Sequence, residues 1–186
     1  MHVRTVLLSA SALLLAGAAG FAAARSLQEG GEAMATPQPT EMHRWLATHH
    51  GTWDCKVEGS MGSSEATWVS EAGPGGLWNL GTFKGEMMGM PFEGREFQGY
   101  DPQSQRFTSV WIDSWTMTPM VLEGSYDAAA KRMVLQGETP GPDGQPVPMT
   151  HITSYPGPDT MVFTMHAPGP DGQQAELMKI TYTRRK

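Results

Sequence analysis

Side chains of similar character recur at every second position along most of the chain after residue 50. The pattern is clearest over residues 107–113, 161–165 and 178–182. A period of two is typical of a β-strand, whose successive side chains point to opposite faces of a sheet. The pattern predicts ten strands, at residues 51–58, 65–71, 76–84, 92–99, 106–113, 119–126, 131–137, 148–155, 160–166 and 175–184.

Closely spaced turns separate the predicted strands. The tetrapeptide Pro-Gly-Pro-Asp occurs at 140–143, 156–159 and 168–171. Proline presets the backbone for a turn, and glycine accepts the positive φ that many turns require. Short connections predict sequential antiparallel hairpins, which fold into a barrel or a sandwich. A closed barrel has the advantage that it leaves no strand edge unpaired.

One short helix is predicted before the first strand. Thr40 belongs to the residue types favoured at helix N-caps. Met42, Trp45 and His49 follow it at helical spacing, and Gly51 is suited to end the helix.

The first 24 residues have the layout of a secretory signal peptide. Arg4 is followed by the uncharged segment 5–24, which ends in small residues. We predict cleavage near Ala24; the alternative is an uncleaved membrane anchor. Residues 25–39 are predicted to form a flexible polar linker, and residues 40–186 the β-barrel domain. The sequence therefore predicts an exported protein that has no membrane contact after cleavage.

Charge and cysteine content restrict the possible functions. The 186-residue chain has 13 Lys and Arg against 19 Asp and Glu, a net charge of -6. Nucleic-acid binding is not expected, because it requires a basic face. Cys55 is the only cysteine, so no internal disulfide can form. Its alternation with Trp53 and Val57 indicates a small buried side chain rather than a reactive thiol.

A series of short motifs resembles the DUF1579 family, a bacterial domain of unknown function. The motifs are Gly51-Thr52-Trp53, the segment 88–94, Gly99-Tyr100-Asp101, the segment 111–114 and the segment 180–184. The resemblance covers residues 41–184. It implies a lipocalin-like fold of the calycin type, which is an all-β, single antiparallel up-and-down barrel. A bacterial relative exported by a signal peptide would be periplasmic or extracellular.

The resemblance also implies how one end of the barrel is closed. In lipocalin-like barrels, a Gly-x-Trp motif on the first strand places an indole across the closed end, and a late basic residue packs over it. By analogy, Gly51 and Trp53 supply the motif, and Arg184 supplies the basic residue. The family has no established activity, and a fold does not define a function.

Large apolar side chains are expected on the inner faces of the strands. The alternation allows inward positions for Trp68, Trp78, Phe107, Trp111, Met120 and Met165. Aromatic and methionine walls suit an apolar ligand, although the same side chains can also simply fill a small barrel. Asp113 shares a face with Trp111. It is a candidate ligand contact if it lies inside, or a partner of Arg95 or Arg106 if it does not.

The histidines and methionines are the candidate ligands for haem or a metal. His151 and His166 lie on late strands, where either could be an axial haem ligand or a structural side chain. The methionines at 87–90 are compatible with copper binding or with ordinary packing. No zinc-binding spacing is present. We predict no cofactor and no metal.

No pair of carboxylates suggests acid–base catalysis. Glu93 and Glu96 are three residues apart in one strand, so they face opposite sides. Ser114 lies outside any Gly-x-Ser-x-Gly motif. We therefore expect an exported, non-catalytic barrel that binds a small apolar or amphipathic molecule. The predicted lining residues are Trp68, Trp78, Phe107, Trp111, Asp113, Met120, His151 and Met165. The alternatives are an enzyme that uses an internal carboxylate or histidine, and a filled barrel that acts as an interaction domain.

Overall fold

Ten strands follow one another along the chain, and each is paired antiparallel with the next. The computed structural model describes residues 36–60, 62–141, 143–169 and 171–186. The strands are β1 (Gly51–Gly59), β2 (Gly62–Ala72), β3 (Trp78–Met87), β4 (Met90–Asp101), β5 (Arg106–Asp113), β6 (Met120–Asp127), β7 (Arg132–Pro140), β8 (Pro146–Gly157), β9 (Thr160–Pro168) and β10 (Gln174–Arg184). Because β10 also pairs with β1, the sheet closes into a barrel.

The closed barrel confirms the predicted fold and excludes the sandwich. Every predicted strand is present, and the three Pro-Gly-Pro-Asp segments lie at the connections β7–β8, β8–β9 and β9–β10. In two of these turns an aspartate side chain accepts a backbone N–H two residues later. These bonds are Gln145 N to Asp143 Oδ1 and Gln173 N to Asp171 Oδ1, each 3.0 Å.

One short helix, α1 (Glu41–Ala47), precedes the barrel as predicted. The backbone N–H of its N-cap residue Thr40 donates to His43 Nδ1 at 3.1 Å, which satisfies a donor at the helix start. The helix ends earlier than expected. Gly51 does not terminate it but begins β1 with a φ of 130°, a conformation that favours glycine.

The helix covers one end of the barrel. Leu46 is buried there, and the indole of Trp45 contacts the rings of Phe107, Tyr126 and Tyr155. These contacts give the helix the tertiary packing that a seven-residue segment needs, because so short a helix is unstable alone.

Trp53 and Arg184 complete this closed end. Trp53 is 0% exposed, and its Nε1–H donates to the carbonyl of His49 at 3.1 Å. The Arg184 guanidinium lies 4.1 Å from the Trp53 ring centroid. It donates to the carbonyls of His50 (2.6 Å) and Thr48 (2.8 Å). This arrangement connects β10 with the segment that joins α1 to β1.

Cys55 lies on the inner face of β1 and is 3% exposed. Burial raises the pKa of its thiol to about 12. The thiol therefore stays protonated at neutral pH and is unreactive.

The predicted signal peptide and residues 25–35 of the predicted linker lie outside the described residues. Within the described part of the chain, no helix is long and apolar enough to span a bilayer.

Candidate functional site

The interior of the barrel contains a cavity of about 300 Å³. Half of the residues that line it are aromatic or methionine, and they come from strands all around the barrel. The aromatic part includes Trp68, Phe83, Phe92, Trp111, Phe163 and Tyr182, and the methionine part includes Met87, Met120, Met161, Met165 and Met178. These side chains give the cavity a large apolar surface.

Two tryptophans lie flat against the wall because a glycine of the neighbouring strand leaves room for each. A Cβ atom at Gly94 would lie 2.1 Å from the Trp111 ring, and one at Gly81 would lie 1.9 Å from the Trp68 ring. Both distances are far shorter than any van der Waals contact. The two glycines therefore keep the indole rings against the backbone and out of the central space.

The most buried acid in the cavity is Glu96 on β4. Its Oε1 accepts a hydrogen bond from Ser109 Oγ at 2.6 Å. In the strand register Glu96 is paired with Trp111, and the Trp111 ring leans away from it over Gly94 and bonds to Asp113. Burial raises the pKa of Glu96, and the bond from Ser109 opposes this shift.

Two tyrosines share this polar region. Burial raises the pKa of Tyr155 and Tyr182, and the charge of Glu96 raises both further. The phenols therefore remain protonated at neutral pH. They can donate hydrogen bonds but supply no charge to the cavity.

His151 presents an unpartnered ring nitrogen in the cavity. Its Nε2 is buried and has no hydrogen-bond partner among the described residues. The ring packs edge-on against Phe163, with centroids 5.0 Å apart. Burial lowers the pKa of His151 to about 4, and the charge of His166 contributes. The imidazole is therefore neutral at pH 7, and a ligand group is one way to satisfy its free nitrogen.

Asp113 lies at the end of the barrel opposite α1, where it organises the β5–β6 loop. Its Oδ2 accepts from Trp111 Nε1 at 2.8 Å, and its Oδ1 accepts from the backbone N–H groups of Trp115 (2.8 Å) and Thr116 (2.9 Å). Asp113 is therefore not the partner of an arginine. It fixes the Trp111 ring and holds a loop whose residues Trp115 and Thr116 also line the cavity.

The two arginines that the sequence offered as partners of Asp113 pair elsewhere. Arg95 Nη2 lies 2.9 Å from Glu93 Oε1, and Arg106 Nε lies 3.5 Å from Glu123 Oε2. All four side chains are about half exposed, so both ion pairs are solvated.

Most of the predicted lining residues do face the cavity. They are Trp68, Trp111, Asp113, Met120, His151 and Met165. Phe107 points inward but does not line the cavity, because it is 1% exposed and packed against Trp45 of α1.

The inward orientation predicted for Trp78 is wrong. Trp78 is 43% exposed, and its ring lies over Gly99 on the outside of the barrel. The next residue, Asn79, is buried and hydrogen-bonded to Ser70 at 2.7 Å. A shift of one residue along a strand moves every side chain to the opposite face. The glycines near the start of β3 made the alternation there too weak to show which residues face inward.

Sequence reasoning missed Glu96 as a site residue. It correctly placed Glu93 and Glu96 on opposite faces but did not decide which face is internal. The sequence did contain a signal for Glu96. Residues 92, 96 and 100 share one face of β4, so the aromatic side chains of Phe92 and Tyr100 indicate that Glu96 also points inward.

Metal binding has no support in the described side chains. No three His, Cys, Asp or Glu residues of that part of the chain lie close enough to hold an ion. The methionines at 87–90 do not form one cluster. Met87 is buried in the cavity wall, whereas Met88 and Met90 are exposed at the β3–β4 turn.

Similar solved structures are barrels of low sequence identity. Rv2717c from M. tuberculosis is 12% identical, with a TM-score of 0.60 over 79% of this chain and 99% of that one. A de novo designed fluorescence-activating β-barrel is 16% identical, with a TM-score of 0.42 over 75% of this chain and 96% of that one. The similarity to Rv2717c supports the fold alone.

A search of curated proteins found no match. The family described as "Protein of unknown function (DUF1579)" matches residues 38–184. The match spans the helix, all ten strands and the cavity, and this chain therefore belongs to the DUF1579 family.

Proposed function

We propose that this protein is an exported binding protein that holds one small apolar or amphipathic molecule inside its barrel. The observation that carries the proposal is the cavity of about 300 Å³, whose wall is mostly apolar in area and also carries polar side chains. Small-molecule sites have this composition, and their volumes begin at about 300 Å³. The export part of the proposal depends on residues 1–24.

The volume favours a binding barrel over a filled one. Well-packed interiors contain few voids larger than a water molecule, because side chains interdigitate at nearly crystalline density. Here the glycines Gly81 and Gly94 keep two indole rings against the wall, which preserves open space. A barrel serving only as an interaction domain has no need of such an arrangement.

Binding is also a better explanation than catalysis. General acid–base chemistry needs groups within hydrogen-bond reach of each other or of a common reacting atom. Glu96 is bonded to Ser109, and His151 Nε2 is bonded to no group of the described chain. The two side chains therefore form no catalytic pair of their own.

The first test is native mass spectrometry of the mature protein purified from its own cellular compartment. The expected result is a chain that begins near Arg25 and carries an additional mass that is lost on denaturation. An absorption spectrum recorded alongside identifies the ligand class, since a Soret band would reveal haem. A bare polypeptide that also binds no apolar probe added in excess would contradict the proposal.

Substitution of Gly94 by alanine is expected to weaken ligand binding at least about tenfold, which is about 1.4 kcal/mol. The new methyl group cannot share space with the Trp111 ring, so the indole must move toward the cavity. The dissociation constant of an apolar fluorescent probe, measured for both proteins, provides the test.

Gly99→Ala is the matched control. It makes the same substitution on the same strand, but its methyl group meets Trp78 on the outside of the barrel. Both variants are expected to be less stable than the unmodified protein, but only Gly94→Ala is expected to bind the probe more weakly. Equal effects of the two variants on probe binding would place the ligand outside the cavity.

A further inference from the structure

We propose that the ligand of this cavity is an organic cation, with an amine or quaternary ammonium group on a small apolar body. This inference rests on the proposed function and specifies its ligand class. It is carried by the composition of the cavity wall, which combines a carboxyl group that lacks a cationic partner with several aromatic rings.

The charged groups around the cavity have one sign. Among the described residues that line it, no lysine or arginine occurs, whereas Glu96 and Asp113 both contribute carboxyl groups. The charge of the site is therefore zero or negative. An anionic ligand would have no cation to pair with and would face two carboxyl groups. The negative charge of a fatty-acid carboxylate is therefore unfavourable in this site.

Several aromatic rings line the same cavity as Glu96. Trp111 is paired with Glu96 across β4 and β5, and its ring stacks near Phe92 with centroids 6.5 Å apart. Phe83 contacts the rings of both Phe92 (5.9 Å) and Trp111 (6.5 Å). The negative faces of aromatic rings attract ammonium groups, and the attraction is greater where water is excluded.

Glu96 also retains capacity for a ligand. Ser109 is its one hydrogen-bond donor within the described part of the chain. An ionised carboxylate accepts several bonds, and burying it unpaired is costly. A ligand cation would supply the opposite charge that no described residue supplies to Glu96.

The affinity for a cation is expected to depend on pH. Burial raises the pKa of Glu96, so a bound cation must favour loss of its proton. Binding of a cation that does not titrate should therefore tighten as the pH rises through this pKa, with release of a proton.

The histidines and tyrosines facing the cavity do not imitate this response above about pH 5. The pKa values of His49 and His151 are lowered to about 4, so both rings are already neutral. Burial keeps Tyr155 and Tyr182 protonated. Asp113 is the other carboxyl group that lines the cavity. Replacing Glu96 by glutamine shows which of the two carboxyl groups is responsible for the response.

Three probes test the inference, and the first two have nearly the same shape. Phenyltrimethylammonium, its neutral isostere tert-butylbenzene and the anion benzoate are titrated into the full mature protein, and binding is followed by tryptophan fluorescence and calorimetry. We expect the cation to bind about tenfold more tightly than the neutral isostere. We expect benzoate to bind most weakly. Affinity for the cation should increase with pH, and affinity for the isostere should not.

The variant Glu96→Gln should remove both the preference for the cation and its pH dependence. Glu93→Gln is the matched control, because it removes the same charge from the exposed face of the same strand. Circular dichroism verifies that both variants are folded, and the comparison of probes on the unmodified protein does not depend on them.

The outcomes separate this inference from the proposed function. Equal binding of the cation and its isostere would overturn the cation assignment and leave a binding barrel for neutral ligands. Tighter binding of benzoate would overturn it as well. Failure of all three probes to bind would contradict both proposals.

Discussion

Replacing Trp53 by alanine is expected to lower the free energy of unfolding by about 3–5 kcal/mol, the usual loss for a large buried aromatic side chain. Trp53 is 0% exposed, and it belongs to the larger of two apolar clusters in the barrel together with Val57, Trp68 and Phe83. The substitution also removes the Nε1–H donor to the His49 carbonyl. Urea denaturation of the mature protein at pH 7 measures the difference.

Trp78→Ala is the matched control for this loss. The residue type is the same, but the Trp78 ring is 43% exposed on the outer surface, so less apolar area returns to water. We expect a loss of about 1 kcal/mol. If the two alanine variants were equally destabilised, Trp53 would not be the principal side chain of the closed end.

A double-mutant cycle connects this prediction to Arg184. Its guanidinium lies over the Trp53 ring and also donates to the carbonyls of Thr48 and His50. Arg184→Ala alone should destabilise the barrel by about 2 kcal/mol, because the carbonyls of Thr48 and His50 lose a charged donor and the Trp53 ring loses its contact. The coupling energy with Trp53→Ala should be about 0.5–2 kcal/mol. A coupling of zero would show that the ring contact is incidental.

The order and number of strands could be predicted from the sequence because the necessary information is local. Alternation at residues 107–113 and Pro-Gly-Pro-Asp turns such as 156–159 each identify one element without reference to the rest of the chain. Closure into a barrel depends instead on the pairing of β1 with β10, which joins residues 131 positions apart at Trp53 and Arg184. That pairing was inferred from the family resemblance rather than from the pattern.

The candidate site was less predictable because it depends on which face is internal. On β5 the alternation placed Phe107, Trp111 and Asp113 on one face without showing whether that face is internal, and Trp111 and Asp113 do line the cavity. On β3 the inward position given to Trp78 was wrong, because Asn79 is the buried residue. Glu96 was overlooked because a glutamate in a strand normally faces water. Its burial is a property of the cavity, which the residue type alone does not reveal.

The polar groups of the cavity oppose the stability of the barrel. Glu96 lacks a cationic partner, and His151 Nε2 lacks a hydrogen bond among the described residues, so both reduce the benefit of burying the surrounding rings. Departures of this kind from a purely apolar core are concentrated at functional sites. Their presence here supports the cavity as the functional part of the molecule.

Acidification is expected to destabilise the protein through its buried histidines. Burial lowers the pKa of His151 and of His49 to about 4, from an unfolded value near 6.5. The unfolded chain therefore binds more protons between these values, so stability rises with pH there and is lost as the pH falls from about 6.5 to 4. At pH 4.5 each histidine should account for a loss of about 2–3 kcal/mol relative to pH 7. Glu96, whose pKa burial raises, acts in the opposite direction, because its contribution to stability is greatest below its unfolded pKa.

The variant His151→Leu isolates one histidine. Its free energy of unfolding should fall by about 2–3 kcal/mol less than that of the unmodified protein between pH 7 and 4.5. The control is Met165→Leu, which alters the residue paired with His151 across β8 and β9 without removing a titrating group. It should keep the full pH dependence. Parallel pH profiles for the unmodified protein and His151→Leu would mean that the imidazole takes up its proton as readily in the folded protein as in the unfolded chain, and the lowered pKa of His151 would have to be abandoned.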